Sequence, residues 1–364
     1  MRQRIYADYA ATTPLCRPAR EKIVSMLDAF GNPSSVHEPG AQARDAIDKA
    51  REQVAAAINA DPEEIFFTSG GSESNATVLR QGWKFHASPI EHPSILNNRA
   101  AETGTIQVDH HGTIQPFTSD CACVMLVNNE VGTIQPIKEL TQESEHGDGV
   151  TRWLHVDAVQ AVGHIPVDVK ELGVETLSMS GHKFGGPKGV GALYISKRIN
   201  RSFFKSLIPG GGQEGGVRSG TENVLGIAAM GEAIEWATEH MEEHRYHVQP
   251  LRDKLIDGIA AIRGAELTGH PFNRAPGIAS FIFSGIEGHA LVGALNEDGV
   301  AASAGSACAA GHLTPSHVLL AMGYAEEQAM GALRLSIGWD TTKADVDYII
   351  QAVRRRVREL RGRY

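Results

Sequence analysis

The sequence is short of cysteine and of positive charge. Its 364 residues include only four cysteines, which are too few for a disulfide framework at this length. The formal net charge is -9 and no basic cluster is large, which disfavours nucleic-acid binding. The densest basic run, RRRVRELRGRY at residues 354–364, follows apolar residues at helical spacing. We predict that it forms the solvated face of a C-terminal helix.

Long apolar segments are also missing. No apolar run approaches the length of a membrane span, and MRQRIYADYAATTPL lacks the apolar core of a signal peptide. We therefore expect a cytoplasmic protein with neither a membrane nor a nucleic-acid partner. Cys121 and Cys123 suggest a metal-binding pair, but no second cysteine pair follows, and CACVMLV is typical of a buried strand. We expect no metal site.

Four apolar runs end in polar or glycine-rich clusters. They are EEIFFTSGGSESN, CVMLVNNEVG, WLHVDAVQ and TLSMSGHKFGG. Helical patterns lie between some of them, and this alternation predicts an α/β fold with a mainly parallel sheet. In such sheets ligands bind outside the carboxyl ends of the strands, where these polar clusters lie.

The last third of the chain has a different pattern. Residues 226–263 read as one long helix interrupted near Pro250, and strands such as GIASFIFSGI follow. We place a domain change near residue 240. The expected division is a large domain of residues 12–240 and a smaller one formed by residues 1–11 and 241–364.

Residues suited to covalent catalysis stand at these strand ends. Lys183 follows Ser-Gly-His and precedes a run of glycines, and Asp157 closes WLHVD. Gly71 and Ser72 open a predicted helix, where backbone N–H groups and a hydroxyl can hold a phosphate. A reactive lysine, a buried carboxylate and a phosphate cradle on one sheet edge are what pyridoxal 5'-phosphate (PLP) requires.

Each feature alone has an ordinary explanation. A Gly-Gly-Ser stretch is usually a turn, a strand-end aspartate is more often a helix cap, and a single histidine such as His92 is more often structural. Lys183 in a glycine-rich loop could be a solvated charge. Their common position at successive strand ends favours a single site.

With these motifs the chain resembles a cysteine desulfurase of the NifS/IscS type, in the class V aminotransferase family. The matching segments include YADYAATTP, GNPSSVHEPG, FTSGGSESN, EHPSIL, NNEVGTIQPI, HVDAVQAVG, SGHKFGGPKGVGALY, RSGTENV, SAGSACAAGHLTPSHVL and LRLSIG. They run from residue 6 to about residue 338. The resemblance implies fold type I of the PLP-dependent transferases, with a mainly parallel seven-stranded sheet in a large domain and a smaller α/β domain.

The resemblance also implies a role for each matching residue. Lys183 matches the lysine that binds PLP covalently, Asp157 the partner of the pyridine nitrogen, and His92 the histidine that stacks on the ring and moves protons. The remaining cofactor-binding positions match Gly71, Ser72, Asn129, Gln160, Ser180, His182 and Thr221. In the family the threonine is donated by the other subunit, which implies a homodimer. The substrate-binding positions match Asn32, Asn129 and Arg334, of which the arginine grips the substrate carboxylate.

Cys308 lies among small residues in SAGSACAAG. A free cysteine is usually an inert core residue. Beside a PLP lysine, the resemblance implies that Cys308 takes the sulfur of L-cysteine as a persulfide and releases L-alanine. The persulfide would pass to a sulfur acceptor, such as an iron–sulfur scaffold or a tRNA-thiolation protein. The loop from Cys308 to Pro315 has the length found in the branch of IscS and NifS.

Other functions stay open from the residues alone. A selenocysteine lyase binds its substrate through the same residues. Another class V lyase or aminotransferase has the same fold and cofactor. An aminotransferase has no need of Cys308 in such a loop, and a non-catalytic scaffold has no need of the full residue set. The chain is shorter between residues 98 and 124 than is usual for the family, which bears on partner docking.

Overall fold

The computed structural model describes residues 4–101, 103–142, 153–201, 204–305 and 314–362. The described strands are β1 (Ile5–Tyr6), β2 (Ile65–Thr68), β3 (His86–Ala87), β4 (Cys121–Met125), β5 (Trp153–Asp157), β6 (Thr176–Ser180), β7 (Gly191–Ile195), β8 (Ala265–Thr268), β9 (Ile278–Phe283), β10 (Val300–Ala301) and β11 (Ala332–Ser336). The described helices are α1 (Arg17–Ser25), α2 (Glu38–Ala57), α3 (Gly71–Leu79), α4 (Pro93–Leu96), α5 (Ile137–Gln142), α6 (Val169–Leu172), α7 (Val224–Glu239), α8 (Met241–Ala260), α9 (Gly288–Glu297), α10 (His317–Ala321), α11 (Glu326–Met330) and α12 (Lys343–Arg361).

The central sheet has the strand order β2-β7-β6-β5-β4-β3. The neighbours β3, β4, β5 and β6 pair in parallel, whereas β7 is antiparallel to both of its neighbours. The expected mainly parallel α/β fold is confirmed. All five residues of β4 are buried, as predicted for CACVMLV.

The sheet has six strands in the described residues instead of the expected seven. Beyond β3, only an isolated parallel bridge joins Ala87 to Thr105. The chain then turns back at Asp109, whose carboxylate accepts hydrogen bonds from the N–H groups of His111 and Thr113. Between β3 and β4, in the region that is short in sequence, the described residues form no further full strand.

Four apolar clusters are buried in the described chain, and the two largest organise the sheets and the helices that pack on them. The larger packs the central sheet against α1, α2 and α7, and includes Ile47, Val156 and Ile234. A second core packs the antiparallel sheet β11-β9-β8 against α8, α9 and α12, and includes Phe281 and Val353. The predicted C-terminal helix is confirmed, since α12 buries Val346, Ile349, Ile350, Val353 and Val357 and leaves its arginines largely outside.

The long helix expected over residues 226–263 is two helices, and the break is not at Pro250. α7 ends at Glu239, His240 has non-helical backbone angles, and α8 contains Pro250. A proline inside a helix removes one backbone hydrogen bond. The packing of α8 on α12 and on β8 and β9 stabilises the helix around it.

Among the described helices, none combines the length and the apolar character that crossing a membrane requires.

Candidate functional site

A cavity of about 690 Å³ lies at the carboxyl edge of the central sheet. β5 and β6 are parallel and end at Asp157 and Ser180, so both strand ends meet at this edge. The cavity brings together most of the predicted site residues: Gly71, Ser72, His92, Asn129, Asp157, Gln160, Ser180, His182, Lys183 and Arg334. A volume of this size is typical of small-molecule sites.

Lys183 closes a 3-10 turn that directly follows β6. Its Nζ donates hydrogen bonds to the backbone oxygens of Ala10 and Ala11, at 2.6 and 2.8 Å. Burial, together with the positive charge of Arg334, lowers the pKa of Lys183 to about 8, although Asp157 and Asp8 oppose this shift. The amine therefore loses its proton far more readily than an ordinary lysine, as nucleophilic and proton-transfer roles require.

Asp157 is 5% exposed and is fixed by two donors. Its Oδ1 accepts from the N–H of Val159 at 3.0 Å, and its Oδ2 accepts from Nδ2 of Asn75 at 2.8 Å. Oδ1 of Asn75 lies 2.9 Å from Nε2 of His155, which also lies on β5. Burial lowers the pKa of His155 to about 3, so its ring is neutral and donates to Asn75. The carboxylate is held in place within the sheet edge.

His92 lies in the open cavity at the N-terminus of α4. Its Nδ1 accepts from the N–H of Ser94 at 3.1 Å, and the Oγ of Ser94 is 2.8 Å away. Desolvation lowers the pKa of His92; the charge of Asp157 opposes this effect and that of Lys183 adds to it. The ring is therefore mostly neutral at neutral pH and can accept a proton.

The N-terminus of α3 forms one side of the cavity. Gly70 has φ 149°, which favours glycine, and the helix begins at Gly71. A Cβ on Gly71 would lie 2.5 Å from Cγ2 of Val159, so this close packing also requires glycine. The first N–H groups of α3 have no intrahelical partner and face a region lined by Ser72, Ser180 and His182, as an anion site requires.

Arg334 on β11 is 5% exposed and enters the cavity from the second core. Its Nη1 donates to the backbone oxygen of Asn129 at 2.8 Å, and its Nη2 forms an ion pair with Asp8 at 2.7 Å. Its buried Nε has no hydrogen-bond partner among the described residues. The guanidinium is held rigidly and keeps a donor for a further acceptor.

Three predicted residues are not part of this cavity as described. Asn32 is exposed, and its Oδ1 accepts from the N–H of Ser34. Thr221 is exposed and does not line the cavity of its own chain. Cys308 lies outside the described residues, although Gly305 and Thr314, on either side of it in sequence, both line the cavity.

Several residues of the site were not predicted from the sequence. Asn75 and His155 orient Asp157, and Asp8 pairs with Arg334. Glu130 accepts from the Oγ of Ser316 at 2.5 Å and also lines the cavity. His155 had one available signal, because it is two residues from Asp157 on one strand and so lies on the same face. The roles of Asn75, Asp8 and Glu130 depend on contacts between parts of the chain that are distant in sequence.

The residues of this cavity fit PLP. A buried carboxylate suits the pyridine nitrogen, a lysine of lowered pKa suits the aldehyde, and the N-terminus of α3 suits the phosphate. No described group of three or more His, Cys, Asp or Glu side chains could hold a metal ion.

Comparisons with known proteins agree with this chemistry over nearly the whole chain. The family model for aminotransferase class-V matches residues 5–349. "Cysteine desulfurase IscS" of Methanosarcina thermophila is 41% identical over an alignment of 381 positions, which covers 98% of this chain and 93% of that protein. A solved "NifS-like protein" is 33% identical with a TM-score of 0.88, covering 98% of this chain and 100% of its own. A second solved structure, "SspA in complex with cysteine", is 31% identical with a TM-score of 0.76. The match covers 92% of this chain and 98% of the other.

These matches confirm the family that the motifs indicated: the chain belongs to the class V aminotransferases and, among them, to the PLP-dependent cysteine desulfurases of the NifS/IscS type.

Proposed function

We propose that this protein removes sulfur from L-cysteine, releases L-alanine and holds the sulfur as a persulfide on Cys308. The observation that carries the proposal is the convergence of Lys183, Asp157, His92 and Arg334 on one cavity. These residues supply a nucleophilic amine, a carboxylate that pairs with the cofactor, a proton acceptor and a guanidinium that binds the substrate carboxylate. The similarity to named cysteine desulfurases supports L-cysteine as the substrate.

The cavity residues suggest how PLP is held. Asp157 would pair with the pyridine nitrogen, and Lys183 would bind the aldehyde carbon. Gln160, whose Nε2 donates to Ala10 O at 2.7 Å, would lie near the ring hydroxyl, and His92 would face the ring. Gly71, Ser72, Ser180 and His182 would surround the phosphate. When bound, PLP withdraws electrons from the α-carbon of the substrate.

Binding and proton transfer are tasks for the chain's own residues. Arg334 would orient the substrate carboxylate through its guanidinium, with Asn129 and Asn32 nearby. Lys183 is suited to remove and return a proton at its Nζ, because its pKa of about 8 leaves part of the population neutral at neutral pH. His92, with its lowered pKa, would take the thiol proton.

Sulfur transfer requires a thiolate that reaches the substrate. Gly305 and Thr314 line the cavity, which supports Cys308, between them in sequence, as that nucleophile. In the proposed step the Cys308 thiolate forms a bond to the substrate Sγ while the Sγ–Cβ bond breaks. The electron pair of the broken bond goes to carbon, which takes up protons and leaves as alanine. Atoms and electrons balance without an external oxidant.

The proposal extends to architecture and partners. The two apolar cores support a large domain of residues 12–240 and a small domain of residues 1–11 and 241–364. The exposure of Thr221 supports its donation to the partner subunit's phosphate site in a homodimer. A cytoplasmic location, and an iron–sulfur scaffold or tRNA-thiolation protein as acceptor, belong to the same proposal.

The test is release of alanine and sulfide from L-cysteine by the purified holoenzyme with a thiol reductant. We expect equimolar products from the parent enzyme and neither product from Cys308→Ala, with the cofactor spectrum unchanged. Cys121→Ala is the matched control, because Cys121 is buried in β4, and should keep the activity. Full sulfide release by Cys308→Ala would place the nucleophile elsewhere. A panel with selenocysteine and other amino acids separates the alternative reactions.

A further inference from the structure

A second cavity, of about 370 Å³, lies beside the residues that follow Lys183. Phe184 and Gly185 form part of its wall. Other residues come from both cores: Trp236 packs against the larger core, and Ile337 belongs to the second. Its volume falls within the range of small-molecule sites, which occur preferentially at interfaces between domains.

One buried polar group in this wall lacks a partner. His244 is 5% exposed, and its Nδ1 has no hydrogen-bond partner among the described residues. The Nε2 of His164, the other histidine in the wall, has a partner, because it donates to the backbone oxygen of Lys183 at 2.8 Å. Buried polar groups are normally hydrogen-bonded. His244 therefore has unused hydrogen-bonding capacity in the wall of the cavity. Because Nδ1 itself has almost no exposed surface, an occupant would reach the imidazole at Nε2.

Aromatic rings make up much of the remaining wall. The ring centroids of Trp236 and Trp339 are 5.1 Å apart, and those of His244 and Trp339 are 5.0 Å apart. Tyr9 and Phe184 complete the aromatic lining. Flat aromatic compounds pack well in such surroundings, through offset-stacked or edge-to-face contacts.

The charged residues of the cavity are exposed and have partners. Arg17 forms an ion pair with Glu21 at 2.7 Å, and Asp340 accepts a hydrogen bond from the hydroxyl of Tyr9 at 3.4 Å. Burial lowers the pKa of His244 to about 3, so this ring carries no charge at neutral pH. A buried ligand charge would lack a free counter-charge here, which favours a neutral ligand.

We propose that this cavity is a second binding site, for a neutral planar heteroaromatic compound whose ring N–H donates a hydrogen bond to His244. The site is separate from the desulfurase cavity and does not depend on the proposed reaction. An occupant would contact Phe184 and Gly185, which directly follow Lys183. It would also contact His164, whose Nε2 donates a hydrogen bond to the backbone oxygen of Lys183. The site thus adjoins the segment that carries the catalytic lysine.

The experiment compares two probes of nearly the same shape on the holoenzyme. Indole carries the ring N–H, and benzothiophene lacks it. Calorimetric titration should show saturable binding of one indole per chain. His244→Phe keeps the ring but removes its nitrogens, so it should weaken indole binding about 10-fold, as loss of one buried hydrogen bond implies. It should change benzothiophene binding by less than about 2-fold.

A second variant and a control complete the test. Trp339→Leu removes part of the aromatic wall and should weaken both probes. Trp83→Leu is the control, because Trp83 is 51% exposed and lies outside the cavity. The proposal is overturned if indole does not bind, if His244→Phe weakens both probes equally, or if Trp339→Leu binds indole as the parent does. Thermal unfolding shows whether His244→Phe and Trp339→Leu are folded. If one of them fails to fold, the binding data of the other variant test the proposal.

Discussion

The Oδ2 atom of Asp157 lies 2.8 Å from Nδ2 of Asn75, and Oδ1 of Asn75 lies 2.9 Å from Nε2 of His155. The three side chains are 5%, 1% and 0% exposed. Water therefore has little access to replace a lost hydrogen bond between them. Asn75 is a positioning residue for the carboxylate that we assign to the cofactor.

Replacing Asn75 by leucine should weaken PLP binding. A hydrogen bond to a charged group contributes about 1.5–3 kcal/mol, which corresponds to roughly a 10- to 100-fold loss of cofactor affinity. The measurement is PLP dissociation, followed by absorbance during dialysis. Asn97→Leu is the control, because Asn97 is exposed at the end of α4. Unchanged affinity in Asn75→Leu would show that Asp157 needs no such support.

Gly71→Ala should also weaken PLP binding, for a steric reason. The new Cβ would lie 2.5 Å from Cγ2 of Val159, so the N-terminus of α3 must move away from the phosphate position. We expect a loss of affinity of about 10-fold, which corresponds to about 1.4 kcal/mol of binding free energy. Adding Val159→Ala removes the clashing methyl group and should restore most of the affinity. Equal losses in the single and the double variant would contradict this explanation.

That the candidate site residues lie together could be predicted from sequence because their placement depends on strand ends. Lys183 and Asp157 each follow or close a short apolar run, and parallel strands bring such ends to one edge. The prediction of β5, β6 and the helix after β2 needed only apolar runs and glycines, and the structure confirms these elements. Lys183 and Asp157 accordingly share a cavity with His92.

The supporting contacts could not be predicted in this way. Asp8 and Arg334 pair across 326 positions of sequence, and no local pattern indicates this contact. The break between α7 and α8 was also missed, because Pro250 is the stronger local signal. Tertiary packing keeps Pro250 inside a helix, and the helix instead breaks at His240, which has non-helical backbone angles.

Attachment of PLP to the apoprotein should depend on pH through Lys183. Only the neutral amine attacks the aldehyde, and the pKa of Lys183 is about 8. The attachment rate should rise about tenfold per pH unit below pH 8 and level off above it. The charge of Arg334 contributes to the lowered pKa, so Arg334→Gln should move the midpoint to higher pH. Stopped-flow absorbance measures the rate, and the exposed Arg354→Gln is the control. A midpoint near 10.5 in the parent protein would refute a lowered pKa.

Arg334→Lys should raise the KM for L-cysteine and change kcat much less. The guanidinium donates to Asn129 O and to Asp8 from two nitrogens, and its buried Nε has no partner in the described part of the chain. A lysine ammonium can neither span these partners nor present a planar fork to a carboxylate. Loss of one hydrogen bond between charged groups predicts a rise in KM of about 10- to 100-fold. The measurement is steady-state alanine release at varied L-cysteine concentration.

The matched control for this last variant is Arg356→Lys. Arg356 pairs with a carboxylate too, and its Nε and Nη2 donate to Asp298 at 2.8 and 2.7 Å. It lies on α12 and does not line the cavity. Its replacement should leave the KM within about 2-fold of the parent, because no substrate group depends on it. If both variants kept the parent KM, the substrate carboxylate would be bound by another residue, and Arg334 would serve only to join Asp8 to the backbone at Asn129. A rise confined to Arg334→Lys instead assigns binding of the substrate carboxylate to this guanidinium, because the two variants make the same chemical change in arginines that pair with an aspartate at different places.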